Sequence, residues 1–284
     1  MFETILVTSV VLYLTPFVFS TLVSAYKKGW SAALTWPKGM RRSALTNMAM
    51  SATHMLIAPG VFLLNGMFRD AYNALGIPHI PVEFWGALPL AAVLIVALIA
   101  QDFADYWNHR LLHTRGFWSI HAVHHSDPDM NHTTSVRIHV IESFVMACSY
   151  TLMLSWIGIP PEGSAGLSLL FSLYNRFVHI DADIHFGPLV KVFATPRFHQ
   201  WHHAVDEDAH NTNFANIFSL WDVLFGTFRV PGPCKVPLGF EGSPNHNYLK
   251  LMAWPFLEAW NFSRSLGQAP KPNRALNEDI DVAA

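Results

Sequence analysis

Three short runs of histidine constrain this chain more than anything else in it: His109-Arg-Leu-Leu-His113, His121-Ala-Val-His124-His125 and His199-Gln-Trp-His202-His203. His179 and His185 lie between the second and third runs. Residues at i, i+3 and i+4 share one helix face. The spacing therefore predicts three helical turns, each presenting two or three imidazoles together. Imidazole suits zinc, copper, iron and nickel. Eight such ligands exceed the needs of one ion, which takes about four to six, so two ions with four or five histidines each is the economical reading. Burying eight unpaired imidazoles without a metal costs too much. Lone histidines on apolar faces, His54 and His79, read instead as satisfied core residues. Any fold for this chain must bring the three runs to one place.

The rest of the chain limits how that is done. The 284 residues are 51% hydrophobic and only 13% charged, against about 25% charged in an average soluble domain, and mean hydropathy is +0.26. Thr4–Tyr26 is uncharged and long enough to cross a hydrocarbon core, which needs about 20 apolar residues. It lacks a basic leader, runs into Lys27-Lys28, and reads as a retained span. Ser43–Phe68 is a second uncharged stretch, with a kink expected at Pro59-Gly60. Phe84–Gln101 is a third and Ser143–Pro161 a fourth; Gly163–Asn175 is short, and either crosses back or forms half of a re-entrant hairpin with the fourth.

Lys27, Lys28, Lys38, Arg41 and Arg42 follow the first span, whereas Arg69 is the one basic residue after the second. Basic loops stay inside, which puts the third span's end at about Asp102, and the first two histidine runs, on the cytosolic side. A hairpin over 143–178 returns His179 and His199 to that side. The expected fold is an all-α integral membrane protein with about four or five transmembrane or re-entrant helices and a cytosolic helical cap carrying the histidines. The expected divisions are 1–101 (N-terminal spans), 102–230 (catalytic region including the 143–178 hairpin) and 231–284 (a C-terminal segment and tail). Within the last, Leu249–Phe262 reads equally as an interfacial segment or a capping helix, and Asn273–Ala284 as a loose polar tail. Net charge of −2 gives no reason to expect nucleic acid, and two cysteines are too few for a disulfide framework.

Asp102 and Asp105 precede His109 by seven and four residues on the same predicted face. They are candidates to accept imidazole N–H groups behind the metal ligands, which fixes the tautomer. His132, His139 and His210 read as polar-network residues, and Arg137, His139 and Glu142 as an ion network at the head of the fourth span. Phe103, Tyr106, Trp107, Phe117, Trp118 and Trp201 are candidate pocket walls. No His-Glu-x-x-His motif of zinc hydrolases and no G-x-G-x-x-G nucleotide motif occurs, so oxidative chemistry would need electrons from a separate protein. The rival readings are a non-redox membrane zinc hydrolase, or a metal transport or storage protein; the latter would hold its ligands at mid-membrane depth.

The three runs after apolar spans resemble the histidine boxes of the sterol desaturase / fatty acid hydroxylase superfamily of membrane-bound di-iron oxygenases. Asp102-Phe-Ala-Asp-Tyr106-Trp107-Asn-His109-Arg110-Leu-Leu-His113 resembles the first box. His124-His125 through Arg137-Ile-His139 resembles the second, and Thr195-Pro196-Arg197-Phe198-His199-Gln-Trp-His202-His203 the third. Asn213-Phe and Leu220-Trp221-Asp222-Val-Leu-Phe225-Gly226-Thr227 resemble the closing segment, so the likeness covers about 102–230. It implies iron ligands at the eight box histidines and at His179, with His185 a position at which members differ. It implies two iron ions, O₂ as co-substrate with zinc as an adventitious occupant, and a membrane lipid (sterol, fatty acyl or sphingoid chain) that is hydroxylated or desaturated. It also implies an external electron donor of the cytochrome b5, ferredoxin or reductase type, in a bacterial inner membrane or endoplasmic reticulum.

Overall fold

The computed structural model describes residues 15–266, apart from 16, 24, 28, 32–34 and 159–160. Residues 4–14 of the expected first span and the Asn273–Ala284 tail lie outside the described residues. Among the described residues the fold is all-helical, with one isolated bridge, Ala204 to Leu238, and no strand.

Helix α1, Lys38–Ala74, is 37 residues long and continues through Pro59. It is longer than the apolar stretch that foretold it. Pro81 and Pro89 each start a new helix, because proline presets a helical φ and lacks only an N–H that the first turn leaves unpaired anyway. They divide the expected third span into α2, Val82–Gly86, and α3, Leu90–Leu112. Helix α3 continues past Asp102, where the apolar run ends, and keeps Asp102, Asp105 and His109 on one helix as expected. It runs on to carry His109 in its last turn, with His113 as its C-cap.

The expected fourth span is shorter than its apolar run. Helix α5, Val140–Leu154, has 15 residues, about 22 Å at 1.5 Å per residue, against a hydrocarbon core of about 30 Å. The chain turns at Gly158, where φ is +63° and an added Cβ would meet the Ile80 carbonyl at 2.6 Å. Only glycine allows that approach. Helix α6, Pro161–Val178, then leads back towards His179.

The remaining helices are short. Helix α4 is Trp118–His125, α7 is Pro196–His202 and α8 is Leu220–Leu224. Helix α9, Tyr248–Leu266, both caps and exposes: Leu251 is fully buried against Met50 and Val123, while Leu249, Phe256, Leu257 and Trp260 face outwards. Helix α5 packs on α1 and α3, α6 on α3 and α7, and α9 on α4.

Among the described residues two helices, α1 and α3, are long and apolar enough to cross a membrane, and only 18% and 28% of their apolar windows are buried. A soluble protein's core helix would be mostly covered. Here Leu45, Met48, Met55, Leu56, Leu63, Ile95, Val96 and Ile99 face outwards, the surface a membrane protein presents to lipid.

Candidate metal centre

Nine of the ten histidines converge in two groups. His109, His113, His121, His125 and His202 offer ligand nitrogens within 4.8 Å of one another, and so do His124, His179, His199 and His203. The groups adjoin: the His125 and His203 rings stack with centroids 4.4 Å apart. His185 is not brought in. It is exposed, and its Nδ1 accepts the Gly187 N–H at 3.2 Å.

Each box was expected to point its histidines one way. The structure instead divides the second and third boxes. On α4, His121 and His125 serve the first group and His124 the second; on α7, His199 and His203 serve the second and His202 the first. The reason is helical geometry. At about 100° per residue, i and i+4 lie about 40° apart, while the i+3 side chain lies about 100° from i+4. A box of form His-x-x-His-His therefore addresses two neighbouring points. Helices α4 and α7 each hold both groups together.

Hydrogen bonds fix which nitrogen is free in five of the nine rings, while the Nδ1 atoms of His199 and His203 are buried without a partner. The Nδ1–H groups of His109, His124, His179 and His202 donate to the main-chain carbonyls of Phe214 (2.6 Å), Arg137 (3.3 Å), Asn175 (2.6 Å) and Thr212 (2.7 Å). His121 Nδ1 donates to Glu142 Oε1 at 2.8 Å. A neutral imidazole that donates from Nδ1 has only a lone pair at Nε2. Yet the Nε2 atoms face each other: His124 and His179 at 3.2 Å, His109 and His121 at 3.1 Å, and His199 to His179 and His203 at 2.9 and 3.1 Å. His202 Nε2 is buried without a partner.

In the His109–His121 and His124–His179 pairs both rings donate from Nδ1, and the opposed Nε2 lone pairs repel unless a cation lies between them. At a metal–nitrogen distance of about 2.1 Å, two ligands at right angles sit about 3.0 Å apart. The donor set thus fits two metal ions. Burial first, then neighbouring imidazoles, hold His113, His121, His124, His125, His199, His202 and His203 well below the ordinary histidine range. Burial likewise brings His179 down to about 4. The rings are neutral at physiological pH, the form that ligates.

The carbonyls that anchor the rings are themselves held. Asn211 and Asn213 have φ of 58° and 59°, a region asparagine tolerates, and between and beyond them the Thr212 and Phe214 carbonyls reach His202 and His109. Asp222 receives the Phe214 and Ala215 N–H groups at 2.8 and 2.9 Å. Asn213 bonds both Phe198 O and Arg229 O. On the other side, Arg137 is fully buried and donates to Asn47, Ser126 and the Asn245 carbonyl. Burial alone would raise the Asp127 carboxyl, but Arg137 at 3.7 Å and the Ser43 and Thr134 hydroxyls outweigh it and hold it below its ordinary value.

Asp102 and Asp105 do not meet the histidines. Asp102 accepts the Ile217 and Phe218 N–H groups and Trp221 Nε1–H, each at 2.9 Å, and so ties α3 to the 217–221 segment. Asp105 accepts the Tyr150 hydroxyl. The carboxylate behind an imidazole is Glu142, placed by sequence reasoning in an ion network. Its signal was weak: an acidic residue in the first turn of an otherwise apolar helix. His139 caps that helix by accepting the Ile141 N–H. His132 packs edge-on to Phe17 and Trp36, and neither it nor His210 joins the two groups. Phe103 and Trp107 pack on Phe225, and Tyr106 on Phe225 and Phe214, and Phe214 in turn lies 5.0 Å from the His113 ring. Trp118 does touch the site, 5.2 Å from the His113 and His125 rings.

The family described as fatty acid hydroxylase matches residues 94–227. An ornithine lipid hydroxylase of Rhizobium tropici is 29% identical over 205 residues, 71% of this chain and 62% of that protein. Human alkylglycerol monooxygenase is 33% identical over 136 residues, 47% of this chain and 30% of the relative. A methylsterol monooxygenase of Arabidopsis thaliana is 26% identical over 154 residues, 49% of each. The chain therefore spans 62% or less of the length of these relatives. No solved structure matches it. The relatives are named as lipid oxygenases, and residues 94–227, the segment that matches the fatty acid hydroxylase family, carry all nine converging histidines.

Proposed function

We propose that this chain is a membrane-bound di-iron oxygenase that hydroxylates or desaturates an unactivated C–H bond of a membrane lipid, using O₂ and electrons from a separate carrier protein. One observation carries the reading: nine neutral imidazoles form two adjoining groups in which Nε2 atoms of neighbouring rings face one another. A bound iron pair would supply O₂ activation. His109, His113, His121, His125 and His202 would hold one ion, and His124, His179, His199 and His203 the other; His185, being remote, is left out.

The chain's own part is positional. The main-chain carbonyls of Phe214, Thr212, Arg137 and Asn175, with Glu142, keep five Nδ1 atoms protonated, so that every corresponding Nε2 stays available. Helices α1 and α3 present apolar surface to lipid and bring a hydrocarbon chain to the level of His109. We read residues 102–230 as the catalytic region, after N-terminal spans within 1–101 and before a capping segment in 231–284. In this reading α5 and α6 form a re-entrant hairpin, giving about four spans or half-spans. The basic residues after Tyr26 place the histidines on the cytosolic side, in a bacterial inner membrane or endoplasmic reticulum.

The experiment is direct. Protein from iron-fed cells should carry two irons per chain, and lipid extract incubated with it, O₂ and a reducing carrier should gain one oxygen or lose two hydrogens by mass spectrometry. His124→Ala and His202→Ala, one in each group, should each abolish product. One zinc per chain with O₂-independent turnover, or product surviving either change, overturns the reading.

A further inference from the structure

A second polar feature runs through the bundle and touches none of the histidine anchors. Helix α3 carries Gln101, Asp105 and Asn108 at i, i+4 and i+7, one stripe of a helix. Partners on α5 meet it. The Tyr150 hydroxyl donates to Asp105 and the Ser149 hydroxyl to Asn108 Oδ1. The Asn108 Nδ2 group has no partner, and the residue is 2% exposed. Beside them Thr151 donates to Asn65 Oδ1 on α1 at 2.9 Å.

This seam begins at a cavity of about 1250 Å³ at the end of the bundle away from the histidines, lined by Asn65, Arg69, His79, Glu83, Gln101 and Thr151 among others. The cavity has polar side chains in its lining and is roomy enough for water. From Gln101 at its floor to His109 is eight residues of α3, about 12 Å. Polar groups at such depth in a membrane-crossing helix are costly, and they mark ion or proton paths. Neither Asp105 nor Tyr150 has a part in holding metal.

Lipid monooxygenation needs such a path, since R–H + O₂ + 2 e⁻ + 2 H⁺ gives R–OH + H₂O. The electrons come from a one-electron carrier protein, and the protons must reach a centre walled by imidazoles and hydrocarbon. The geometry points to the Gln101–Asp105–Tyr150–Asn108–Ser149 seam as the proton route from the far-side cavity to the metal centre. This rests on the function proposed above. The Tyr150 hydroxyl and Asp105 carboxyl pass the proton from cavity water. Ser149 and the free Nδ2 of Asn108 would seat a water molecule, and that water is the last carrier before the centre, since the His109 Nδ1–H is held by the Phe214 carbonyl.

The test separates the route from the reaction. In a background lacking Cys148 and Cys234, Gln101→Cys is plugged with a water-soluble methanethiosulfonate reagent. The Asp105 carboxyl is followed by infrared on transfer to D₂O, its band identified by loss in Asp105→Asn. Plugging should slow its exchange at least about tenfold. Asp105→Asn and Tyr150→Phe, both isosteric, should lower turnover about 10²-fold, as loss of a proton-transfer group does. They should also raise the solvent isotope effect and leave iron content at its wild-type level. Exchange gated by the plug in a protein that oxidises no lipid sinks the function and leaves the route standing. Lipid oxidation with exchange indifferent to the plug sinks the route alone. Iron lost in Asp105→Asn also sinks it, by making Asp105 a structural prop.

Discussion

At the scale of residues, five of the nine converging imidazoles are oriented through Nδ1, four by main-chain carbonyls and one by a side chain, Glu142. Only that last anchor can be altered without moving backbone. Glu142 is 2% exposed and its Oε2 has no partner. Glu142→Gln should weaken metal binding in the five-histidine group about 10–100-fold, the usual cost of losing such a partner. Chelator competition would read this as one ion released well before the other. Simultaneous release of both would refute the assignment. Asp102→Asn should behave differently, because its three N–H partners belong to the 217–221 segment and not to a ring. It should cost about 2 kcal/mol of stability, the order of charged hydrogen bonds, read as a lowered thermal midpoint with both ions still bound at saturating metal. The sequence showed Asp102 and Asp105 on the helix that ends in His109, and helix spacing alone made them look like ring partners. The contacts that claim Asp102 lie 115 and 116 residues further on. No local periodicity reports them. Glu142 was hidden for the same reason, since its partner His121 is 21 residues away on another helix.

At the scale of elements, the histidine spacing was legible because i, i+3 and i+4 constrain a single turn. What the spacing left unsaid was the sharing of α4 and α7 between two groups, which depends on where two ions can sit. The span boundaries were blurred similarly. An apolar run does not reveal that Ser155–Ile157 is a turn. The shared helices make the site sensitive to distant packing. Leu251 on α9 is fully buried with Val123, between His121 and His124, and with Met50 of α1. Leu251→Ala should cost about 2–5 kcal/mol, as large-to-small core changes do. Because α4 feeds both groups, metal affinity should fall at both ions equally, in contrast to Glu142→Gln. A variant that loses thermal stability while binding both ions as tightly as the parent would show that α9 is only a cover.

At the scale of the whole molecule, the fold solves one problem: how to surround the end of an apolar helix bundle with nitrogen ligands and no water. Helices α1 and α3 offer a lipid-facing surface, while α4, α7 and the 211–228 segment close over the end of α3. Every ring in the cluster is neutral, and in the His109–His121 and His124–His179 pairs the Nε2 lone pairs are opposed at about 3 Å. Without metal that arrangement is unfavourable, for each buried acceptor is left unpaired. Metal should therefore be a structural member of the native state as well as its reactive part. Ions that bind the folded chain and not the unfolded one stabilise it by RT ln(1 + [L]/Kd), about 2.7 kcal/mol at a hundredfold excess over Kd. Removing iron with a chelator should lower the thermal midpoint and speed amide hydrogen exchange in 118–125 and 196–203, leaving exchange within α1 almost unchanged. Adding back a redox-inert ion that accepts imidazole, such as zinc, should restore the midpoint and the protection without restoring lipid oxidation. If the metal-free protein melts at the same temperature, the two groups are held by the scaffold alone, and the opposed lone pairs are relieved by moving the rings.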